Sequence, residues 1–181
     1  HGPIPEVARI LAEFDATHRY PDPLSTKLRT ALAHRLGVDA HNIVTGAGSL
    51  GALNQILKAF AGASLDGTQD EVIYAWRSFE AYPILVGLLG AKSVQIPNLP
   101  NGAHDLNAMA QAVTDRTRVI LVCTPNNPTG PAVTEAQMRE FLTKIPENVV
   151  VVIDEAYYEF CTASTVPAGQ NAPVNGLNLL N

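Results

Sequence analysis

A rigid corner of amides and prolines, Thr124-Pro125-Asn126-Asn127-Pro128-Thr129-Gly130, closes an apolar run, Val119-Ile120-Leu121-Val122. Proline and glycine fix such a turn, and the asparagine side chains can donate or accept where a strand's carboxyl end opens to solvent. In open α/β sheets that edge is where ligands bind. A second apolar run, Val149-Val150-Val151-Val152-Ile153, delivers Asp154-Glu155-Ala156-Tyr157. A carboxylate leaving so apolar a strand is costly unless a cation pairs with it. The expected partner of Asp154 is therefore either a structural arginine or the protonated ring nitrogen of a cofactor. Tyr157, three residues on, can aim its hydroxyl at the same ligand. Upstream, Gly46-Ala47-Gly48-Ser49-Leu50-Gly51 opens a helical pattern. Backbone N–H groups at such a helix start, with the Ser49 hydroxyl, suit a phosphate group. The same letters match the dinucleotide fingerprint, which needs an acidic residue at the far end of the next strand. Asp70 and Glu71 instead precede Val72-Ile73-Tyr74, at its wrong end.

The elements that must position these groups alternate along the chain. Val7, Ile10, Leu11 and Phe14 recur at helical spacing, and the Tyr20-Pro21-Asp22-Pro23 cluster stops that helix. A second helix is expected with Ser25 or Thr26 as its cap, Leu28, Leu32 and Leu36 on one face, and Gly37 as its terminator. Short apolar runs then alternate with helical stretches. A strand at Ile43-Val44 precedes a helix over 50–60, Val72-Ile73-Tyr74 precedes one over 79–89, and Ser93-Val94-Gln95-Ile96 precedes one over 105–113. The strand at Val119 leads to a helix opened by a capping box, Thr134 with Gln137. The run ending at Ile153 is apolar on both faces, as a central strand covered by helices is. The pattern predicts a three-layer α/β/α domain with a mainly parallel sheet. Residues 162–175, rich in Pro, Gly, Asn and Ala, read as a surface connection.

Composition narrows the function classes. At 181 residues, with 46% hydrophobic and 16% charged residues, the chain can bury a sizeable core as one domain or most of one. A net charge of −5 without a Lys/Arg cluster argues against nucleic acid and against a membrane surface. No apolar stretch approaches the roughly 18 residues of a membrane span, and no charged start with an apolar run marks a signal peptide. Cys123 and Cys161 lack metal or redox spacing, which makes a reducing cytoplasmic compartment the expectation. The expected partners are small molecules or copies of the chain itself. The chain opens on the approach to a helix and closes in Gly176-Leu177-Asn178-Leu179-Leu180, the start of an amphipathic segment. Part of a longer enzyme or domain is expected on that ground.

Taken in order, the Gly/Ser loop, the aromatic after the next strand, Asn-Asn-Pro-Thr-Gly and Asp-Glu-Ala-Tyr resemble the pyridoxal 5′-phosphate-dependent aminotransferases of the aspartate aminotransferase fold. The resemblance covers nearly the whole chain, and Tyr20-Pro21-Asp22 points toward the histidinol-phosphate aminotransferase branch. The segment Trp76-Arg77-Ser78-Phe79-Glu80 looks more like the aromatic amino acid aminotransferases of the same branch. The resemblance implies the large domain of this fold, in part. It also implies that Ala47, Gly48 and Ser49 hold the cofactor phosphate and that Phe79 stacks on its ring. Asn127 and Tyr157 would bond the phenolic oxygen, and Asp154 would keep the ring nitrogen protonated. Asp154 and Tyr157 are thus the implied catalytic residues. Tyr20 resembles the residue that crosses a dimer interface to the neighbour's cofactor phosphate.

The same resemblance implies a homodimeric enzyme that moves an amino group between an aromatic amino acid or histidinol phosphate and a 2-oxo acid. Residues 1–24 would form the dimer-contact element and residues 25–181 the cofactor-binding large domain, incomplete on its C-terminal side. The family's Schiff-base lysine lies in a Ser-Lys motif on a later strand. Lys27, Lys58, Lys92 and Lys144 have no such setting, and each reads as a solvated charge. The chain alone is therefore expected to be inactive. A different PLP reaction such as decarboxylation, and a non-catalytic module binding PLP or another phosphorylated ligand, are the alternatives. No metal ligand set is expected.

Overall fold

The computed structural model describes residues 2–161 and 173–180. The chain divides into two compact units, His1–Thr45 and Gly46–Asn181.

In the first unit, helix α1 (Pro5–Glu13) starts with a proline whose fixed φ suits the first helical turn, and Arg9 ties Glu6 to Glu13 along its surface. Its apolar face, Val7, Ile10 and Leu11 with Phe14 just beyond, stays exposed. Helix α2 (Thr26–Leu36) ends at Gly37 in the left-handed conformation, as expected. Its start differs. Ser25 occupies the cap position but adopts φ 49° and makes no side-chain cap. The Asp22 carboxylate instead accepts from the Leu24 and Thr26 N–H groups, because the turn lays two acceptor oxygens over the helix start. The strand expected at Ile43-Val44 does not form. These residues pair with no strand among the described residues. Two apolar residues after the 3₁₀ turn Ala40–Asn42 are too few to sustain a ladder.

The second unit carries the rest. Helix α3 (Gly48–Phe60) leads to strand β1 (Glu71–Trp76), α4 (Ala81–Leu88), β2 (Lys92–Pro97) and α5 (Leu106–Gln111). Strand β3 (Thr117–Cys123), α6 (Glu135–Leu142) and β4 (Val150–Asp154) follow. Every strand pair is parallel, in the order β2-β1-β3-β4. Side chains alternate across the strands and build two cores. Val72, Tyr74, Val119 and Leu121 meet Leu53 and Leu57 of α3 and Tyr82, Leu85 and Val86 of α4. On the opposite face Ile73, Ala75, Ile120 and Val122 meet Met109 of α5 and Met138 and Phe141 of α6. This is the expected three-layer arrangement. The capping box of Thr134 and Gln137 opens α6.

Two expectations change. Strand β4 is not central: among the described residues its one sheet neighbour is β3, and the central strands are β1 and β3. Residues 150–153 are only half-buried, as suits a strand with one neighbour, and an apolar run carries no information about in-plane neighbours. Of the surface connection expected over 162–175, residues 162–172 lie outside the described residues. Residues 173–175 do not run over the surface. Pro173 bridges Thr134, and Val174 is fully buried against the α5/α6 core, its N–H on the Val133 carbonyl.

The strand order positions the site. From β1 the chain moves to β2 on one side, then crosses back over β1 to β3 on the other. The loops leaving β1 and β3 therefore part at a switch point on the carboxyl edge, where such sheets open a crevice. The β3/β4 register sets Asp154 directly beside Cys123 at that edge.

Candidate active site

Ser49, Phe79, Cys123, Asn127, Asp154, Ala156 and Tyr157 line one small cavity at this carboxyl edge. Five of them were predicted site residues, and they come from four separate segments: the start of α3, the β1–α4 loop, the β3–α6 corner and the end of β4. Folding alone brings them together.

Asp154 is the electrostatic centre. It is 7% exposed, and among the described residues no Lys, Arg or His forms an ion pair with it. Its Oδ2 accepts from the Tyr82 hydroxyl at 2.7 Å, and its Oδ1 accepts from the Ala156 N–H at 3.2 Å. The structural arginine, one of the two expected partners, is not found among the described residues. A neutral phenol takes part of that role and leaves the anionic charge uncompensated. Burial, reinforced by the neighbouring Cys123 and Asp154, pushes the Tyr82 hydroxyl far above its ordinary pKa, so it remains a donor. The sequence does not single out Tyr82 as a site residue. Its place three residues beyond Phe79, where the loop turns into α4 and the Tyr82 N–H donates to the Phe79 carbonyl, is the signal that could have shown it. The two rings meet edge to face at 5.7 Å between centroids, so Phe79 and the donor to Asp154 are packed as a pair.

The corner divides its two amides between different tasks. Asn126 is buried and saturated: Oδ1 accepts from Ser78 Oγ at 2.7 Å, while Nδ2 donates to the Arg77 carbonyl at 2.9 Å and to Thr129 Oγ1 at 2.7 Å. Thr129 Oγ1 in turn donates to the Gly102 carbonyl, and Asn98 Nδ2 donates to Arg77 O. Three successive loops are thereby bolted to one another. With Asn126 spent on this frame, Asn127 is the amide that lines the cavity. Burial also raises the pKa of the Cys123 thiol and keeps it neutral.

Ala47 and Gly48 stand at the start of α3, beside Ser49. Gly48 has φ 66°, a conformation that favours glycine. The preceding Gly46 admits no side chain, since a Cβ there would lie 2.6 Å from the Ala52 backbone nitrogen. The chain therefore folds tightly onto the first helical turn and leaves Ser49 and nearby N–H groups exposed at the positive end of a 13-residue helix. Tyr20 belongs to the first unit, fully exposed between α1 and α2, and is not among the cavity residues. None of the lysines lines the cavity. Lys92 pairs with Glu71, and Lys144 with Glu140.

By fold and site, the second unit is a parallel α/β domain with an acidic, aromatic-walled crevice at its carboxyl edge and a helix start beside it. The chain belongs to the family of class I and II aminotransferases, which it matches over residues 1–177. It is 50% identical over 169 residues to an aromatic amino acid aminotransferase of Thermobifida fusca, covering 93% of this chain and 45% of that protein. A second aromatic amino acid aminotransferase, from Streptomyces coelicolor, is 49% identical over 170 residues, covering 93% of this chain and 46% of that protein. Among solved structures, the histidinol-phosphate aminotransferase of Sinorhizobium meliloti in complex with pyridoxal-5′-phosphate superposes with a TM-score of 0.77 at 27% identity. That match covers 95% of this chain and 44% of that one. The chain thus spans less than half the length of the relatives it matches.

Proposed function

We propose that this chain is the cofactor-holding part of a pyridoxal 5′-phosphate-dependent aminotransferase that moves an amino group between an aromatic amino acid and a 2-oxo acid. The observation that carries this reading is the buried, cation-free Asp154 facing a cavity. A cationic ring nitrogen would supply the compensation that the described protein groups do not. The rest of the lining fits the same group. The α3 start and Ser49 suit its phosphate dianion, Phe79 its ring face, and Asn127 with Tyr157 its phenolic oxygen.

When bound, the cofactor supplies an electron sink for the substrate's breaking Cα–H bond. The chain's own groups set that sink. Asp154 would hold the proton on the ring nitrogen, and Tyr82 and the Ala156 N–H hold Asp154 in place. Asn127 and Tyr157, both in the cavity lining, would donate toward the phenolic oxygen and stabilise negative charge there without moving a protein group. Phe79, which lines the cavity, would cover one face of the ring and exclude water from it.

The family's cofactor-bearing lysine is assigned to the part of the whole protein outside these 181 residues. Residues 1–24 are read as a dimer-contact element and residues 25–181 as the cofactor domain. The exposed apolar face of α1 and the fully exposed Tyr20 support a homodimer in which Tyr20 meets the partner's cofactor phosphate. A cytoplasmic location is supported by two free cysteines, Cys123 and Cys161.

Aromatic amino acids are preferred as substrate class because the relatives at half identity carry that name. Histidinol phosphate is the second reading, supported by the likeness to the Sinorhizobium meliloti structure. The test is an amino-transfer assay on the full-length protein with pyridoxal phosphate, offering phenylalanine, tyrosine or histidinol phosphate with 2-oxoglutarate. Transfer from the aromatic amino acids at roughly tenfold higher kcat/KM is expected. The reverse preference exchanges the substrate, and carbon dioxide release without a new amino acid overturns transamination.

A further inference from the structure

His104, in the loop between β2 and α5, takes no part in the reading above, yet it is 6% exposed. Its Nε2 lies 2.8 Å from the Cys123 carbonyl oxygen, and its Nδ1 is buried without a hydrogen-bond partner. A carbonyl only accepts, so Nε2 carries the proton and Nδ1 is a bare acceptor. Burial, opposed by the Cys123 carbonyl and the Asn126 side chain, pulls the imidazole pKa below its ordinary value and keeps the ring neutral. A buried ring with one idle nitrogen costs free energy that an aliphatic side chain of similar size would not. The position of its bond to the Cys123 carbonyl explains the residue.

Cys123 is the last residue of β3, lines the cavity, and is paired in register with Asp154. The following Thr124 N–H donates to the Asp154 carbonyl, and Thr124 Oγ1 accepts from Val133 N–H. The peptide after Cys123 is thus held by β4 through its N–H and by His104 through its carbonyl. We infer that His104 is a positioning residue: by fixing the Cys123 carbonyl it sets the direction in which the chain enters the corner, and hence where Asn127 presents its amide. The inference rests on the aminotransferase reading.

The test uses the full-length protein with pyridoxal phosphate and the variants His104→Gln, His104→Asn and His104→Leu. Glutamine can return an N–H donor to the Nε2 position; asparagine places its amide nitrogen near Nδ1, too short to reach, and leucine has no donor. Two readouts are followed: the cofactor dissociation constant, and the pH midpoint of the bound cofactor's visible band, which responds to groups at the phenolic oxygen. His104→Asn and His104→Leu are expected to weaken binding roughly fivefold or more and to move the midpoint by roughly half a pH unit, with His104→Gln within about twofold of the parent. If His104→Leu does not fold, the Gln and Asn pair decides alone. Equal behaviour of Gln and Asn, whether both unimpaired or both impaired, overturns the inference, as does a fall in unfolding temperature with an unmoved midpoint. Failure of the parent to bind the cofactor overturns the aminotransferase reading itself, and this inference with it.

Discussion

Two buried carboxylates occupy opposite edges of the same parallel sheet, and they are treated in opposite ways. Glu71, at the amino end of β1, is 2% exposed. Its Oε1 accepts from Lys92 Nζ and Arg116 guanidinium, both at 3.0 Å, and its Oε2 accepts from Thr114 Oγ1 at 2.6 Å. The Thr114 hydrogen bond first, then the two cations, outweigh burial and hold its pKa below the ordinary glutamate value. Asp154, at the carboxyl end of β4, is nearly as buried but receives one phenol and one backbone N–H. The amino edge is closed by the protein's own groups, whereas the carboxyl edge retains an uncompensated negative charge beside a cavity. A saturated buried anion serves the fold, and an unsaturated one is reserved for a ligand.

Asp154→Ala should break this contrast most severely. In the full-length enzyme kcat is expected to fall about a thousandfold, the scale of losing a preorganised electrostatic stabiliser, while unfolding free energy shifts by no more than about 1 kcal/mol. Turnover near that of the parent would show that Asp154 has been assigned wrongly. Glu71→Ala should do the converse. About 1–2 kcal/mol of stability should be lost in urea unfolding at neutral pH, a modest figure because both cations are half exposed and regain water. Activity per folded molecule should be unchanged.

The acid dependence sharpens the same comparison. Because the folded-state pKa of Glu71 is lowered, its stabilisation is complete above the ordinary value of about 4.3 and is lost as pH falls through the lowered one. The stability gap between parent and Glu71→Ala should therefore close in that acid range, measured by unfolding at a series of pH values. A gap that persists undiminished would assign the effect to packing. The smallest change is expected from Tyr82→Phe, which removes the donor to Asp154 Oδ2 and leaves the ring. A loss of about fivefold in kcat/KM is expected, with cofactor still bound. An unchanged kcat/KM would show that the Ala156 N–H suffices to orient the carboxylate.

The sequence carried much of this because local patterns report local physics. Alternating apolar runs and helical stretches determine layers, and Asp154 after Ile153 is conspicuous for the cost of a charge leaving an apolar strand. The Asn-Asn-Pro-Thr-Gly string marked the corner, and the resemblance singled out Asn127 over Asn126. The physical ground for that choice, the saturation of Asn126 by Ser78, Arg77 and Thr129, needed the folded loops. Tyr82 was hidden because its partner lies 72 residues away and it looks like any core tyrosine of an apolar helix. Sequence periodicity also could not tell that β4 has a single neighbour among the described residues, or that Asp22 rather than Ser25 serves the α2 start. Both depend on where a strand or turn is placed, which side-chain type alone does not encode.

The most direct test of the central claim is the protonation state of the ring nitrogen. Full-length protein loaded with cofactor carrying ¹⁵N in the pyridine ring can be followed by NMR at about pH 8, with unlabelled protein throughout. The expected result is a protonated ring nitrogen in the parent and an unprotonated one in Asp154→Ala. An unprotonated nitrogen in the parent, or a proton retained after Asp154 is removed, would contradict the assignment of the open carboxylate to the cofactor.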